Sequence, residues 1–225
     1  MRGKLIVIEG TDCSGKETQT NLLIEKLRDK DIKVDNFSFP NYNSPTGKIV
    51  GGPYLGKDYI SDTYFEEGPT QVDPKVASLY YAADRKYNIS KIIFLLENGY
   101  NVILDRYIYS NMAHQGGKIF DDKERNSIYN WLEKLEFDLL ELPKPDIAIF
   151  LHMPTNYSQV LKAERNEKPD GHEQDIDHLK HAEKAYVELA KRYKMHTIEC
   201  VKNDIIRNID DISDEVYNYV IDKLK

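Results

Sequence analysis

Residues 4–20 read KLIVIEGTDCSGKETQT, and the order of this stretch decides the fold. A short apolar run closes on Glu9-Gly10. Four residues separate it from Gly15-Lys16, and the amphipathic pattern of Leu22, Leu23, Lys26 and Leu27 follows at once. Strand, glycine loop and helix N-terminus in this order are what a phosphate-binding P-loop requires. Gly10 and Gly15 let the backbone turn so that consecutive N–H groups face inward. The new helix adds unpaired N–H groups and the positive end of its dipole. Lys16 adds a full charge for β- and γ-phosphates. One position departs from the pattern. The residue after the lysine should bring the hydroxyl that binds Mg²⁺, but it is Glu17, with Thr18 one later. A glycine-rich strand-to-helix turn that holds no nucleotide is the competing reading.

The composition agrees with a globular nucleotide-binding chain. At 225 residues and 40% hydrophobic, it is long enough for one large α/β domain with a full core. The net charge of −7 argues against a nucleic acid polymer or an anionic membrane as the main partner, while leaving small anions open. Two cysteines, Cys13 and Cys200, stand far apart, so no disulfide framework is implied and a reducing cytoplasm is expected. The N-terminal apolar run is too short for a signal peptide, and no stretch approaches a membrane span.

Strand-like and helix-like runs alternate. The expected strands are 4–9, 33–39, 101–105, 146–152 and 196–201. The expected helices are 16–29, 74–98, 123–141, 156–166, 174–193 and 211–223. Asp73-Pro74 reads as an N-cap followed by proline at the first helical position, and Gly99 as the stop. Such βα alternation implies a parallel sheet with helices on both faces. Residues 41–70 are rich in Gly, Pro, Asn and Tyr and read as loop with one short helix. Residues 164–177 are dense in charge and read either as a solvated loop or as a lid.

Two further sites carry chemistry. The strand VILD at 102–105 runs into Arg106 and Tyr107. Ligands of open α/β sheets collect beyond the carboxyl ends of strands, so Asp105 and Arg106 should share an edge with the P-loop. An aspartate there suits a magnesium-bound water, and an arginine forks onto phosphate; a surface ion pair is the plain alternative. On the long helix, Val76, Leu79, Tyr80, Ala83 and Tyr87 form the apolar stripe at helical spacing. Tyr81 and Arg85, four apart, share another face that suits a flat heterocycle. A Tyr–Arg surface stack is the alternative.

Taken together, GTDCSGKETQ (10–19), Phe39-Pro40, YAADR (81–85), DRYIYS (105–110), Gln115-Gly116-Gly117 and KPDGHE (168–173) resemble the thymidylate kinase family nearly end to end. The resemblance implies a single P-loop nucleoside monophosphate kinase domain over 1–225, with a five-stranded parallel sheet and a lid-like segment at about 162–177. It implies transfer of the γ-phosphoryl group of ATP to dTMP with Mg²⁺, small-molecule nucleotide partners, and a homodimer.

It further implies roles for particular residues. The ATP loop would comprise Gly10, Thr11, Asp12, Cys13, Ser14, Gly15, Lys16, Glu17 and Thr18. Asp12 matches the acid that meets the sugar 3′-hydroxyl, and Phe39 and Pro40 the wall of the acceptor site. Tyr81 matches the aromatic stacked on thymine, Arg85 the arginine at the base carbonyl and Arg106 the arginine on the acceptor phosphate. Ser110 belongs to the same acceptor motif, and Gln115 falls near the group that reads the base edge. Lys16, Arg106 and a lid cation, Arg165 with Lys162 and Lys168 nearby, would neutralise the transferring group; Asp105 and Thr18 would serve the metal. Cys13 stands where some members place an arginine. Glu17, Tyr42 (where many relatives have an arginine for the acceptor phosphate) and His114 (where an aromatic often backs the sugar) also depart from the pattern. Two alternatives stay open. One is a deoxynucleoside kinase, which needs a general base such as Glu9 or Asp105. The other is a nucleotide-binding paralogue without turnover.

Overall fold

In the computed structural model, which describes residues 1–163, 171–172 and 174–225, five parallel strands form one sheet in the order β2-β3-β1-β4-β5. The strands are β1 (Leu5–Gly10), β2 (Val34–Ser38), β3 (Asn101–Asp105), β4 (Ile147–His152) and β5 (His196–Glu199). Central β1 pairs with β3 through Leu5–Val102 to Ile8–Asp105, and with β4 through Ile6–Ile147 to Gly10–Leu151. Every residue of β1 is buried, as expected of a strand covered on both faces. This register brings the carboxyl ends of β1 and β3 side by side, so the P-loop and Asp105-Arg106 emerge on one edge.

One face of the sheet is covered by α1 (Lys16–Arg28) and α8 (Ile209–Leu224), with Leu23, Leu27, Val216 and Val220 packed on Ile6, Ile8 and Ile149. The other carries α3 (Pro74–Glu97), α4 (Ile108–Gly116), α5 (Asp122–Glu133) and α7 (Ile176–Arg192). Their Ile92, Met112, Leu132 and Leu189 meet Leu5, Val7 and Leu104. Each such apolar side chain contributes about 1.5–3 kcal/mol by burial. Short α2 (Pro45–Ile49) and α6 (Thr155–Ala163) complete the set. None of the helices among the described residues is long and apolar enough to cross a membrane.

The ends follow local chemistry. Asp73 caps α3 by accepting from Lys75 N and Val76 N, and Gly99 follows the helix at φ 79°. Asp121 and Asp175 cap α5 and α7 in the same way.

Several expectations need correction. The expected helix at 123–141 is α5 followed by a π-helical turn at Lys134–Leu139. Residues 41–70 hold α2 and a second π-helical turn, Val50–Tyr54. The fifth strand ends at Glu199, after which β6 (Val201–Lys202) and β7 (Ile205–Ile206) pair as a small antiparallel ribbon. Helix α4 was not expected from the sequence. The apolar stripe of α3 is turned outward: Val76, Leu79 and Tyr87 are 41%, 51% and 60% exposed. The buried face of α3 carries Ala77, Ser78, Ala82, Arg85, Ile89, Ile92 and Leu96. The predicted helix end at 164–166 and most of the lid-like segment lie outside the described residues.

Candidate active site

The P-loop is built as its sequence requires. A Cβ at Gly10 would stand 2.4 Å from Ser14 Oγ and 2.8 Å from the Leu151 carbonyl, so only glycine lets β1 turn there. Gly15 at φ 77° precedes α1, a conformation that costs glycine nothing. Thr11 Oγ1 ties the loop to the Met153 carbonyl at 2.6 Å. Lys16 is buried, and its Nζ donates to the Thr11 carbonyl at 2.7 Å. Burial first, then repulsion from Arg106, pushes this ammonium down to about 8 against the opposing pull of Asp12, Asp105 and Glu9.

Opposite the loop, the end of β3 turns sharply. Arg106 adopts φ 66°, a left-handed conformation uncommon for a non-glycine residue and typical of functional sites. Glu9 anchors this turn. Its carboxylate accepts from Tyr107 N at 2.8 Å, Ser110 N at 3.2 Å and Ser110 Oγ at 2.5 Å, with Tyr186 Oη at 3.4 Å. Tyr107, the residue that opens α4, supplies no side-chain cap, so a strand residue from β1 satisfies the helix N-terminus instead. Burial raises the Glu9 carboxyl, against its hydrogen bonds to Ser110 and Tyr107 and the Arg106 charge. Fully enclosed and committed to α4, Glu9 has no access to a substrate hydroxyl, which removes it as a general base.

Arg106 returns over the P-loop and pairs with Asp12. Burial alone would raise the Asp12 carboxyl, but the Arg106 guanidinium beside it, with Lys16 adding to it, holds it well below the usual carboxylate range. The same pair keeps the Arg106 guanidinium charged despite its burial.

These groups border a cleft of about 290 Å³ between the P-loop, β3, α3 and α4. Cys13, Glu17 and Thr18 line the P-loop end of it together with Lys16, Asp105 and Arg106. Phe39, Pro40, Tyr81, Arg85 and Ser110 line the rest, with Asp12 between. The sequence-predicted residues therefore converge, with qualifications. The Arg85 guanidinium is bound along two edges by Glu136, with Nε–Oε2 and Nη2–Oε1 both at 2.5 Å. The Ser110 hydroxyl is spent on Glu9 and Tyr186. Gln115 is fully buried and does not line the cleft, a correction to its expected place at the base edge. Gly10, Thr11 and Ser14 are buried in the loop and do not line the cleft. Arg165 and Lys168 lie outside the described residues.

Asn111 and Lys57 are among the cleft residues that the sequence analysis missed. Asn111, one helical turn before Gln115, donates from Nδ2 to Glu136 at 3.2 Å, while its buried Oδ1 has no partner among the described residues. Lys57 enters from the segment before α3, its Nζ 5.2 Å from the centre of the Tyr42 ring. The signal for Asn111 is its position in DRYIYSN, six residues after Asp105, on α4. Lys57 had no local signal.

A family model described as thymidylate kinase matches residues 8–212. The chain belongs to the thymidylate kinase family. A thymidylate kinase of Schizosaccharomyces pombe is 29% identical over 219 residues, spanning 97% of this chain and 92% of that protein. One of Caldicellulosiruptor saccharolyticus is 31% identical over 228 residues, spanning 100% and 99%. The solved thymidylate kinase of Candida albicans superposes with a TM-score of 0.74 at 24% identity, covering 100% of this chain and 94% of that one, a likeness of fold. The five-stranded sheet is thus the P-loop nucleoside monophosphate kinase arrangement, and the chain is a nucleoside monophosphate kinase.

The donor set at the P-loop end fits the magnesium ion that thymidylate kinase chemistry calls for. Asp105 Oδ1 is buried without a partner among the described residues, and the hydroxyl of Thr18 and carboxylate of Glu17 stand on the same cleft. All three are hard oxygen donors of the kind Mg²⁺ takes.

Proposed function

We propose that the cleft seats ATP on the P-loop and dTMP between Tyr81 and Arg106, and that this thymidylate kinase family chain transfers the γ-phosphoryl group between them to give dTDP. The observation that carries the reading is the convergence of Lys16, Arg106 and Asp105 at one end of a cavity whose other end offers Tyr81, Arg85 and Asn111. The first three are charge-handling groups for phosphates. The last three are a ring face, a guanidinium edge and a free amide oxygen, which suit a pyrimidine.

The attacking atom on dTMP is already an anionic phosphate oxygen, so no general base is needed. The chain's task is alignment and charge neutralisation. P-loop amides and Lys16 hold the donor phosphates. Arg106 faces the acceptor phosphate, held in place by the cap that Glu9 sets on α4. Lys57, over Tyr42, supplies the second acceptor cation that the sequence lacks at position 42. Asp12 exchanges part of its pairing with Arg106 for the sugar hydroxyl. Asp105 and Thr18 would hold Mg²⁺, which when bound neutralises the donor phosphates and orients them. Glu17 is exposed on the first turn of α1, where a carboxylate suits the helix dipole and leaves Thr18 to face the ion.

The same reading includes a cytoplasmic homodimer. Val76, Leu79, Tyr87 and Phe94 form an exposed apolar stripe along α3, 41–62% exposed, which supports pairing through this helix.

The test is an acceptor panel. With ATP and Mg²⁺, dTMP should drive ADP formation well above dUMP, thymidine or no acceptor. Preference for thymidine would favour the nucleoside kinase. No acceptor-dependent ADP at any Mg²⁺ level would favour a paralogue without turnover.

A further inference from the structure

Beside the cleft, three imidazoles from three separate segments meet. His114 comes from α4, His172 from the turn at 171–172 and His178 from the first turn of α7, where Asp175 Oδ1 accepts its N–H at 3.0 Å. Each offers a ring nitrogen, and the three lie within 4.8 Å of one another. We propose that His114, His172 and His178 bind one divalent transition-metal ion of the zinc class, clipping the 171–172 turn to α4 and α7.

The geometry is close to a ligand set. His114 Nδ1 and His178 Nε2 stand 3.2 Å apart. Bonds of about 2.0–2.1 Å to a tetrahedral zinc put two nitrogens about 3.3 Å apart, so this pair already has the required separation. The His172 ring stacks on His114 at 5.3 Å and 14° and lies 4.7 Å from His178. Its nitrogen must close in by at most about 1.5 Å, which rotation about the broad Cβ–Cγ torsion supplies. Tyr54 Oη, 3.0 Å from His172 Nε2, brings a fourth polar atom to the edge of the cluster.

The chemistry suits a metal. Burial above all pushes His114 down to about 3 and His178 to about 4, and it lowers His172 as well. Neutral imidazole is the ligating form, and one of the two facing nitrogens of His114 and His178, now hydrogen-bonded to each other, passes its proton to the far nitrogen of its own ring when the ion enters. Asp12 and Asp175 add favourable charge. Lys16, Arg106, His181 and Lys118 oppose it, and Lys118 is itself pushed down to about 8 by burial. An all-imidazole set selects zinc, cobalt, nickel or copper over magnesium. It is therefore chemically distinct from the oxygen donors at Asp105. His114 and His172 also line the cleft, so an occupied site would tie the shape of the nucleotide wall to metal supply.

The test uses the full chain, stripped with a chelator, and Co²⁺ as the probe at pH 7.5. One equivalent of Co²⁺ should give the intense visible absorption of a tetrahedral centre, and Zn²⁺ should displace it. His178→Ala and, separately, His172→Gln should each weaken Co²⁺ binding at least about tenfold; Cys13→Ser should leave it unchanged. A weak octahedral spectrum from the unmodified chain at millimolar Co²⁺ would overturn the proposal, a result that needs no variant to fold. So would an affinity equal to wild type in either histidine variant, which would move binding to other surface groups.

Discussion

Arg85→Met leaves Glu136 as a buried carboxylate without its partner. The two side chains are 2% and 0% exposed, and they meet along two hydrogen bonds of 2.5 Å. Removing one member of such a pair costs about 3–5 kcal/mol, because the remaining charge cannot recover its hydration. Asn111 Nδ2, 3.2 Å from Glu136 Oε1, keeps one bond to that carboxylate. The expected loss is therefore at the lower end, about 3 kcal/mol, a large share of a domain stability of about 5–15 kcal/mol. The double variant Arg85→Met, Glu136→Leu removes both charges and should regain most of the loss, since apolar replacement of a buried pair is close to neutral. Urea unfolding, followed by circular dichroism and by the single tryptophan, Trp131, measures both variants. A cost under about 1 kcal/mol for Arg85→Met would place the pair with surface ion pairs and refute the argument. A double variant no more stable than the single one would refute it equally. Once folded, the double variant also separates roles: a raised KM for dTMP in it reports the contact of Arg85 with the base.

Tyr81→Ala should raise the KM for dTMP by the equivalent of about 1–3 kcal/mol with kcat little changed, as loss of a stacking plane does elsewhere; unchanged dTMP affinity would put the base somewhere else. Glu17→Ser should lower the Mg²⁺ concentration needed at fixed ATP, because a hydroxyl suits the ion beside phosphates better than an exposed carboxylate; a higher requirement would make Glu17 a metal ligand. His152 is raised above 6.5 chiefly by its hydrogen bond to Glu183, then by Glu199, with burial opposing. Its contribution to stability is thus full below pH 6.5 and fades as pH rises through the folded-state value. The stability gap between wild type and His152→Gln should shrink from pH 6 to pH 8.5, and a gap that widens with pH would contradict this.

What the sequence made legible was local. The P-loop was readable because two glycines, a lysine and the start of a helix lie within a few residues of one another. Strands β1, β3 and β4 were readable because strands buried on both faces are short apolar runs. Helix α4 was not, because its cap is Glu9, 98 residues before Tyr107, and no local N-cap announces it. The stripe on α3 has a related origin. Helical periodicity identifies an apolar face but not what covers it, and here Arg85 is inside because distant Glu136 neutralises it. Lys57 and Asn111 reached the cleft through segments whose shape depends on π-helical turns and on α4, neither written in a short motif. The three histidines are legible only after α4, the 171–172 turn and α7 have packed.

The most direct measurement follows the phosphoryl group itself. With γ-labelled ATP, Mg²⁺ and dTMP, the label should appear in the terminal phosphate of dTDP in proportion to dTMP consumed. It should be lost in Lys16→Met, where removal of a cation aimed at developing charge costs on the order of 3 kcal/mol or more, with the fold retained by circular dichroism. Label released as inorganic phosphate regardless of dTMP, or a Lys16→Met protein that still labels dTDP at near-normal rates, would contradict transfer between two nucleotides in this cleft.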